Sequence, residues 1–214
     1  MLAAGKYWDK VARRYETRPI KNLTAYHETL DRTRARLSPN DRVLELGCGT
    51  GMTALKLADA VAQMTASDIS AEMVAIGREK ASAQGVENVE FLQATAFDDA
   101  LGRGGYDAVL AFNYLHLMED TEATVARIES LLKPGGVFIS KTVCLANANF
   151  FFRLLMRLMI PVMQWLNKAP YVRAMSSAEV ESCIGDAGFE ILESRSFTDQ
   201  SISRFVVARK TRAL

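Results

Sequence analysis

The stretch VLELGCGTG, residues 43–51, constrains this chain more than any other. Apolar residues suited to a buried strand run directly into glycines at 47, 49 and 51, with a glutamate, Glu45, embedded among them. Glycines there permit positive φ and let a ligand approach the backbone with no Cβ in the way. The spacing narrows the choice. A dinucleotide fingerprint needs G-x-G-x-x-G, whereas this chain has G-x-G-x-G with Met52 in the last slot, and a P-loop would end in Gly-Lys-Ser/Thr, which is absent. Glu45 would repel a pyrophosphate and tolerate a cation.

The surrounding pattern supplies the fold. Short apolar runs at 42–46, 64–69, 89–93, 106–113 and 137–143 alternate with helical spacing at 52–61, 70–84 and 121–132. Ser70 stands where the second of these helices needs an N-cap, and the KPGG at 133–136 reads as a turn. A helix at 177–187 follows, then two runs, FEILESR and SRFVVARK, whose short link between Ser196 and Ser203 predicts an antiparallel hairpin at one edge. Such alternation predicts an α/β, doubly wound, Rossmann-like sheet in one domain, 1–214, with an N-terminal helical cap over 1–38. With 49% hydrophobic and 24% charged residues the chain is too apolar for disorder, and its net charge of +1 gives nucleic acid no electrostatic footing. Cys48, Cys144 and Cys183 form no C-x-x-C pair, and the first ten residues lack a signal-peptide core, so a cytoplasmic setting is expected.

Asp68, about 20 residues beyond the glycines at the end of the second predicted strand, is placed to accept hydrogen bonds from ribose hydroxyls. A turn or helix-capping aspartate is the plainer alternative. Glycine loop, Glu45 and Asp68 together describe a cationic nucleoside ligand without phosphate, a description that S-adenosylmethionine meets. VLELGCGTG, ASDIS, YDAVLAFNYLHLMED and LLKPGGVFISKT resemble successive motifs of class I S-adenosylmethionine-dependent methyltransferases, with the nearest look to the small-molecule branch of ubiquinone and menaquinone biosynthesis. The resemblance runs over about residues 7–210. It implies seven strands, the last antiparallel and at the C-terminal edge. It also implies that Gly47 and Gly49 lie under the methionine portion, that Asp68 holds the ribose, and that Ile69 and Met73 flank the adenine. Ala96 and Phe97 would line the adenine pocket, and Asn113 would close the methionine side. One departure stands out: Thr95 occupies the place where relatives carry aspartate.

At the N-terminus, Tyr7, Trp8, Val11 and Tyr15 fall at helical spacing. Trp8 reads as a packing residue. For Tyr15, packing and contact with a sulfonium through its aromatic face weigh equally. A sulfonium methyl is already activated, so no metal is required and no ligand cluster is evident. A base matters only if the acceptor must lose a proton; His116 is the candidate, against an equal reading as a structural histidine. His27 has no evident partner, and Cys48 reads as a small packing residue. Two other functions use the same sheet: a nicotinamide-dependent oxidoreductase, disfavoured by the glycine spacing, and a non-catalytic nucleoside-binding protein. The NYLH after the fourth strand is not the N/D-P-P-Y/F tetrad of base-amino methylases.

The segment 145–170 is the odd one. Asn147 or Asn149 can cap a helix that is apolar around most of its circumference, while Arg153, Arg157 and Gln164 fall on one narrow stripe. The arginines and Pro161 argue against a transmembrane span. A lid over a small, partly apolar acceptor is expected, with burial against the domain, a homodimer interface and a peripheral membrane contact as the alternatives.

Overall fold

Leu44 and Leu46 pack on one side of the central strand β1 (Arg42–Leu46) and Val43 on the other, all fully shielded from solvent. Alternate residues of a strand point to opposite faces, so a strand apolar on both faces needs helices above and below it. The computed structural model describes residues 2–166, 168–197 and 202–211, with side chains from residue 4 onward. Around β1 it places α1 (Leu2–Glu16), α2 (Leu23–Arg34), α3 (Met52–Leu57), β2 (Gln63–Asp68), α4 (Ala71–Gln84), β3 (Val89–Gln93), β4 (Tyr106–Phe112) and α5 (Thr121–Leu131). Then follow β5 (Leu132–Val143), α6 (Phe150–Trp165), α7 (Ser177–Asp186), β6 (Phe189–Arg195) and β7 (Ser203–Lys210).

The seven strands lie in the order β3-β2-β1-β4-β5-β7-β6. β1 to β5 pair in parallel, whereas β7 runs antiparallel to both β5 and β6. The α/β doubly wound reading therefore holds. β7 is not itself the outermost strand: it enters between β5 and β6, which leaves β6 at the edge. Part of the link joining β6 to β7 lies outside the described residues. One face of the sheet packs on α5 and α7 through Ile128, Leu131, Val180 and Ile184, the other on α2, α3 and α4 through Leu30, Leu55, Leu57 and Val74. Because β2 and β3 extend from one side of β1 and β4 from the other, the strand order reverses between β1 and β4. A crevice at the carboxyl ends of these two strands follows from that reversal.

Local chemistry explains the boundaries. Ser70 caps α4 by accepting from Met73 N at 3.1 Å, as expected, and Gly85 ends the helix in the left-handed conformation. The KPGG segment is not a free turn between α5 and a strand. α5 passes directly into β5, and residues 133–136 bulge opposite Asp107 while pairing continues on both sides. Lys133 closes the bulge by donating to both Asp107 oxygens at 2.7 and 2.8 Å.

The first helix is fastened to α4. Ala12 and the half-buried Trp8 pack on Met73 and Ile76. Asp9 accepts from the Ser70 hydroxyl at 2.6 Å, and Arg13 bridges Glu72 and Glu79. These ion pairs are exposed and screened by solvent, so the apolar contacts and the Asp9–Ser70 bond set where α1 sits.

Candidate functional site

The glycine loop leaves β1 and wraps over the carboxyl end of β2. Gly47 and Gly49 hold φ of +65° and +54°. The two have different reasons to lack a side chain. A Cβ on Gly47 would stand 2.4 Å from Cδ2 of Tyr114, a collision that forbids it. A Cβ on Gly49 would meet nothing nearer than Tyr15 Cε1 at 3.8 Å, because that position faces open space.

Asp68 organises this space. Its Oδ2 accepts from Gly49 N and its Oδ1 from Ser70 N, both at 2.9 Å, tying the loop to the start of α4. Burial raises its pKa above the ordinary carboxylate value, against the backbone donors of Ser70 and Gly49, which lower it. A carboxylate offers about four acceptor positions, more than the backbone donors of Gly49, Ser70 and Ile69 fill, which leaves capacity for a ligand hydroxyl.

Between these elements lies a cavity of about 380 Å³. Tyr15, Gly47, Gly49, Asp68, Ile69, Met73, Ala96, Phe97 and Asn113 all line it, so the fold gathers most of the residues singled out in the sequence around one cavity. Asn113 sits at the end of β4 with φ of +53°, the only positive value outside glycine among the described residues. Its N–H donates to Lys141 O at 2.7 Å, which holds the residue in a conformation that asparagine tolerates better than most.

Two expected residues are elsewhere. Glu45 does not line the cavity; it is buried beneath the loop with Oε2 unpartnered among the described residues. Burial pushes its pKa up to about 8, only partly offset by the backbone of Ala54, with Asp68 pushing the same way. Near neutral pH burial thus favours the protonated carboxyl over the full negative charge expected there. His116 does not reach the cavity either. It lies in the turn after β4, buried, with Nδ1 unpartnered among the described residues, and desolvation lowers its pKa to about 4. The turn directs its backbone instead, whose carbonyl accepts from Arg173 N at 2.8 Å.

Other lining residues escaped the sequence reading. Trp8 reaches the cavity as well as packing on α4, and sits edge-on to Tyr15 with ring centroids 6.1 Å apart. Tyr114, Leu117 and Met118 form the wall beyond Asn113; their place after a parallel strand was a usable signal. Pro170, the last residue of the segment expected to form a lid, and Tyr171 line the cavity too.

α6 departs most from expectation. Asn149 caps it, accepting from Phe152 N at 2.9 Å, but the helix has no buried residue and none of its residues lines the cavity. A separate groove of about 510 Å³ runs beneath it, and Arg153, Arg157 and Gln164 lie along that groove. Met156, Ile160, Met163 and Gln164 are the half-shielded residues of the helix, Arg153 and Arg157 stay exposed beside the groove, and much of the apolar surface faces out.

The strand order, the helices on both faces and the glycine loop at the reversal define a Rossmann-like domain with a ligand crevice at the reversal. Residues 43–136 match the methyltransferase domain family. The ubiquinone biosynthesis O-methyltransferase of Xanthomonas axonopodis pv. citri is 33% identical over 152 residues, 69% of this chain and 60% of that protein. The match thus spans about 60% of the length of this curated relative. Among solved structures, an S-adenosylmethionine-dependent methyltransferase from Mesorhizobium loti superposes with a TM-score of 0.70 at 19% identity, covering 87% of this chain and 98% of that one. The [4+2]-cyclase SpnF superposes with a TM-score of 0.69 at 20% identity, covering 86% and 80%. Likeness of this degree speaks for the fold.

Proposed function

We propose that this chain binds S-adenosylmethionine in the cavity below Tyr15 and transfers its methyl group to a small, partly apolar acceptor. The observation that carries the reading is the pairing of Gly49, open to the cavity, with Asp68, whose oxygens have lone pairs left for a ribose. Ile69, Met73 and Phe97 offer apolar surface for a base, and Thr95 offers a neutral hydroxyl beside it. On the other side, Gly47 and Asn113 bound the space for an amino-acid portion, with the Tyr15 ring over Gly49. The residues present suit the group. No helix among the described residues is long and apolar enough to cross a membrane.

When bound, S-adenosylmethionine supplies a methyl already activated by the positive sulfur. The chain's own task is then to hold the acceptor in line at near-attack distance and to exclude water. Leu117, Met118 and Tyr171, beyond Asn113, form the wall on which an apolar acceptor can rest. One fold hosts many activities, so a second reading stands beside it, in which the same cavity binds the cofactor without methyl transfer. Transfer of labelled methyl to a metabolite fraction supports the first reading, and binding without any transfer supports the second.

Asp68→Ala weakens S-adenosylhomocysteine binding by about 1.5–3 kcal/mol, the range for hydrogen bonds to a charged group. Unchanged affinity by calorimetry would remove Asp68 from the site. His116→Ala lowers the turnover number by less than roughly tenfold, short of the 10²–10⁴-fold typical for loss of a general base. A larger loss, with a pH profile that loses one ionisation, would restore His116 as the base and require the turn to rearrange.

A further inference from the structure

The apolar arc of α6 has no partner in the fold. Phe151 and Trp165 are 81% exposed, Leu158 64% and Val162 55%. At 100° per residue these four lie within one narrow sector, with the stripe of Arg153, Arg157 and Gln164 about 130° round the helix from its centre. Soluble surfaces rarely leave so much contiguous apolar area to water. Charge selects the occupant. From Cys144 to Ser177 the chain carries Arg153, Arg157, Lys168 and Arg173 and no acidic residue. Arg173 is neutralised by Glu122 at 2.6 Å, whereas Arg153, Arg157 and Lys168 form no ion pair among the described residues.

We propose that α6 lies flat on a bilayer bearing anionic lipid, its outward face sunk into the boundary between headgroups and acyl chains. An in-plane helix of this kind combines an apolar face rich in Phe, Leu and Trp with cations on the flanks. The outward arc carries Phe151, Leu158 and Trp165, the residue types such an apolar face uses. At 16 residues the helix is too short to span the hydrocarbon. A second copy meeting α6 through the same face would bring the three unpaired cations towards their own counterparts, so charge favours lipid over self-association. Pro170 and Tyr171, just beyond the helix, line the cavity, which on the reading above sets the acceptor side beside the lipid. The proposal itself stands on α6 and not on methyl transfer.

Co-sedimentation tests it with vesicles of phosphatidylcholine alone and with roughly 30% phosphatidylglycerol added. The wild-type chain partitions onto the anionic vesicles at least about tenfold better than onto neutral ones, and raising salt to roughly 0.5 M removes that advantage. The triple variant Phe151→Ser/Leu158→Ser/Trp165→Ser and the triple variant Arg153→Gln/Arg157→Gln/Lys168→Gln each lose about tenfold in partitioning. Equal binding to both vesicle types, or binding unchanged in the variants, overturns the proposal. So does sedimentation velocity without lipid if it finds a wild-type dimer that the apolar variant dissolves, because the face then belongs to a second copy. S-adenosylhomocysteine titration of the same samples keeps the two readings apart: absence of that binding in the wild type refutes the proposed function and leaves the vesicle result intact.

Discussion

Gly49→Leu loses affinity for S-adenosylhomocysteine by roughly 100-fold or more, about 2.7 kcal/mol, and the protein stays folded. The reason is where the new side chain goes. A Cβ at Gly49 meets only the edge of Tyr15 at 3.8 Å, so the leucine grows into the cavity and occupies the volume a ligand needs. Its φ of +54° adds about 1–2 kcal/mol of backbone strain, which a domain of this size survives. Gly47→Leu fails differently. Its Cβ would lie 2.4 Å from the Tyr114 ring, so that variant is destabilised by overpacking, about 1–3 kcal/mol beyond the backbone term. Thermal melts beside calorimetric titrations separate the two. If Gly49→Leu binds as well as the wild type, the loop is structural and the cavity holds something else.

Glu45→Gln stabilises the protein at high pH by on the order of 4 kcal/mol and has little effect near pH 5. The folded-state pKa of about 8 lies above the ordinary value of 4.5, so between these values the folded chain holds a proton that the unfolded chain releases. Stability therefore falls as pH rises from about 4.5, and the fall is complete above about 8, where the buried carboxyl must ionise or the structure must open. Glutamine keeps the shape and has no charge to bury. Urea denaturation at pH 5, 7 and 9 shows the curves of wild type and variant diverging as pH rises. Parallel curves would mean that Glu45 is ionised and partnered. The same carboxyl sits under a loop expected to face a cation, so ligand binding should draw its pKa down and release a proton above pH 7, which calorimetry in buffers of different ionisation enthalpy reports.

Much of the site was readable because its signals are local. A strand followed by glycines, an acid at the end of the next strand and a serine capping the helix after it each follow from neighbours in the chain. The sheet then brought Gly49, Asp68 and Ser70 together by the hydrogen bonds that such residues make. What was missed depends on partners distant in sequence. The KPGG bulge forms because Asp107, on another strand, receives Lys133. His116 stood two residues past Tyr114, a good position by count, but the turn there points its ring into the core and Tyr114 to the cavity. Glu45 was read as a charge, yet full burial decides its protonation, and burial cannot be seen from spacing alone. α6 shows the limit most plainly. Its periodicity separated an apolar arc from a polar stripe correctly, but periodicity does not say which of the two meets the rest of the protein, and the larger, apolar arc proved to face outward.

Titration of the purified chain with S-adenosylhomocysteine, run in parallel with the oxidised nicotinamide dinucleotide, tests the central claim most directly. One-to-one binding of S-adenosylhomocysteine that Gly49→Leu abolishes, with no heat from the dinucleotide, is the predicted result. Binding of the dinucleotide and none of S-adenosylhomocysteine would contradict it.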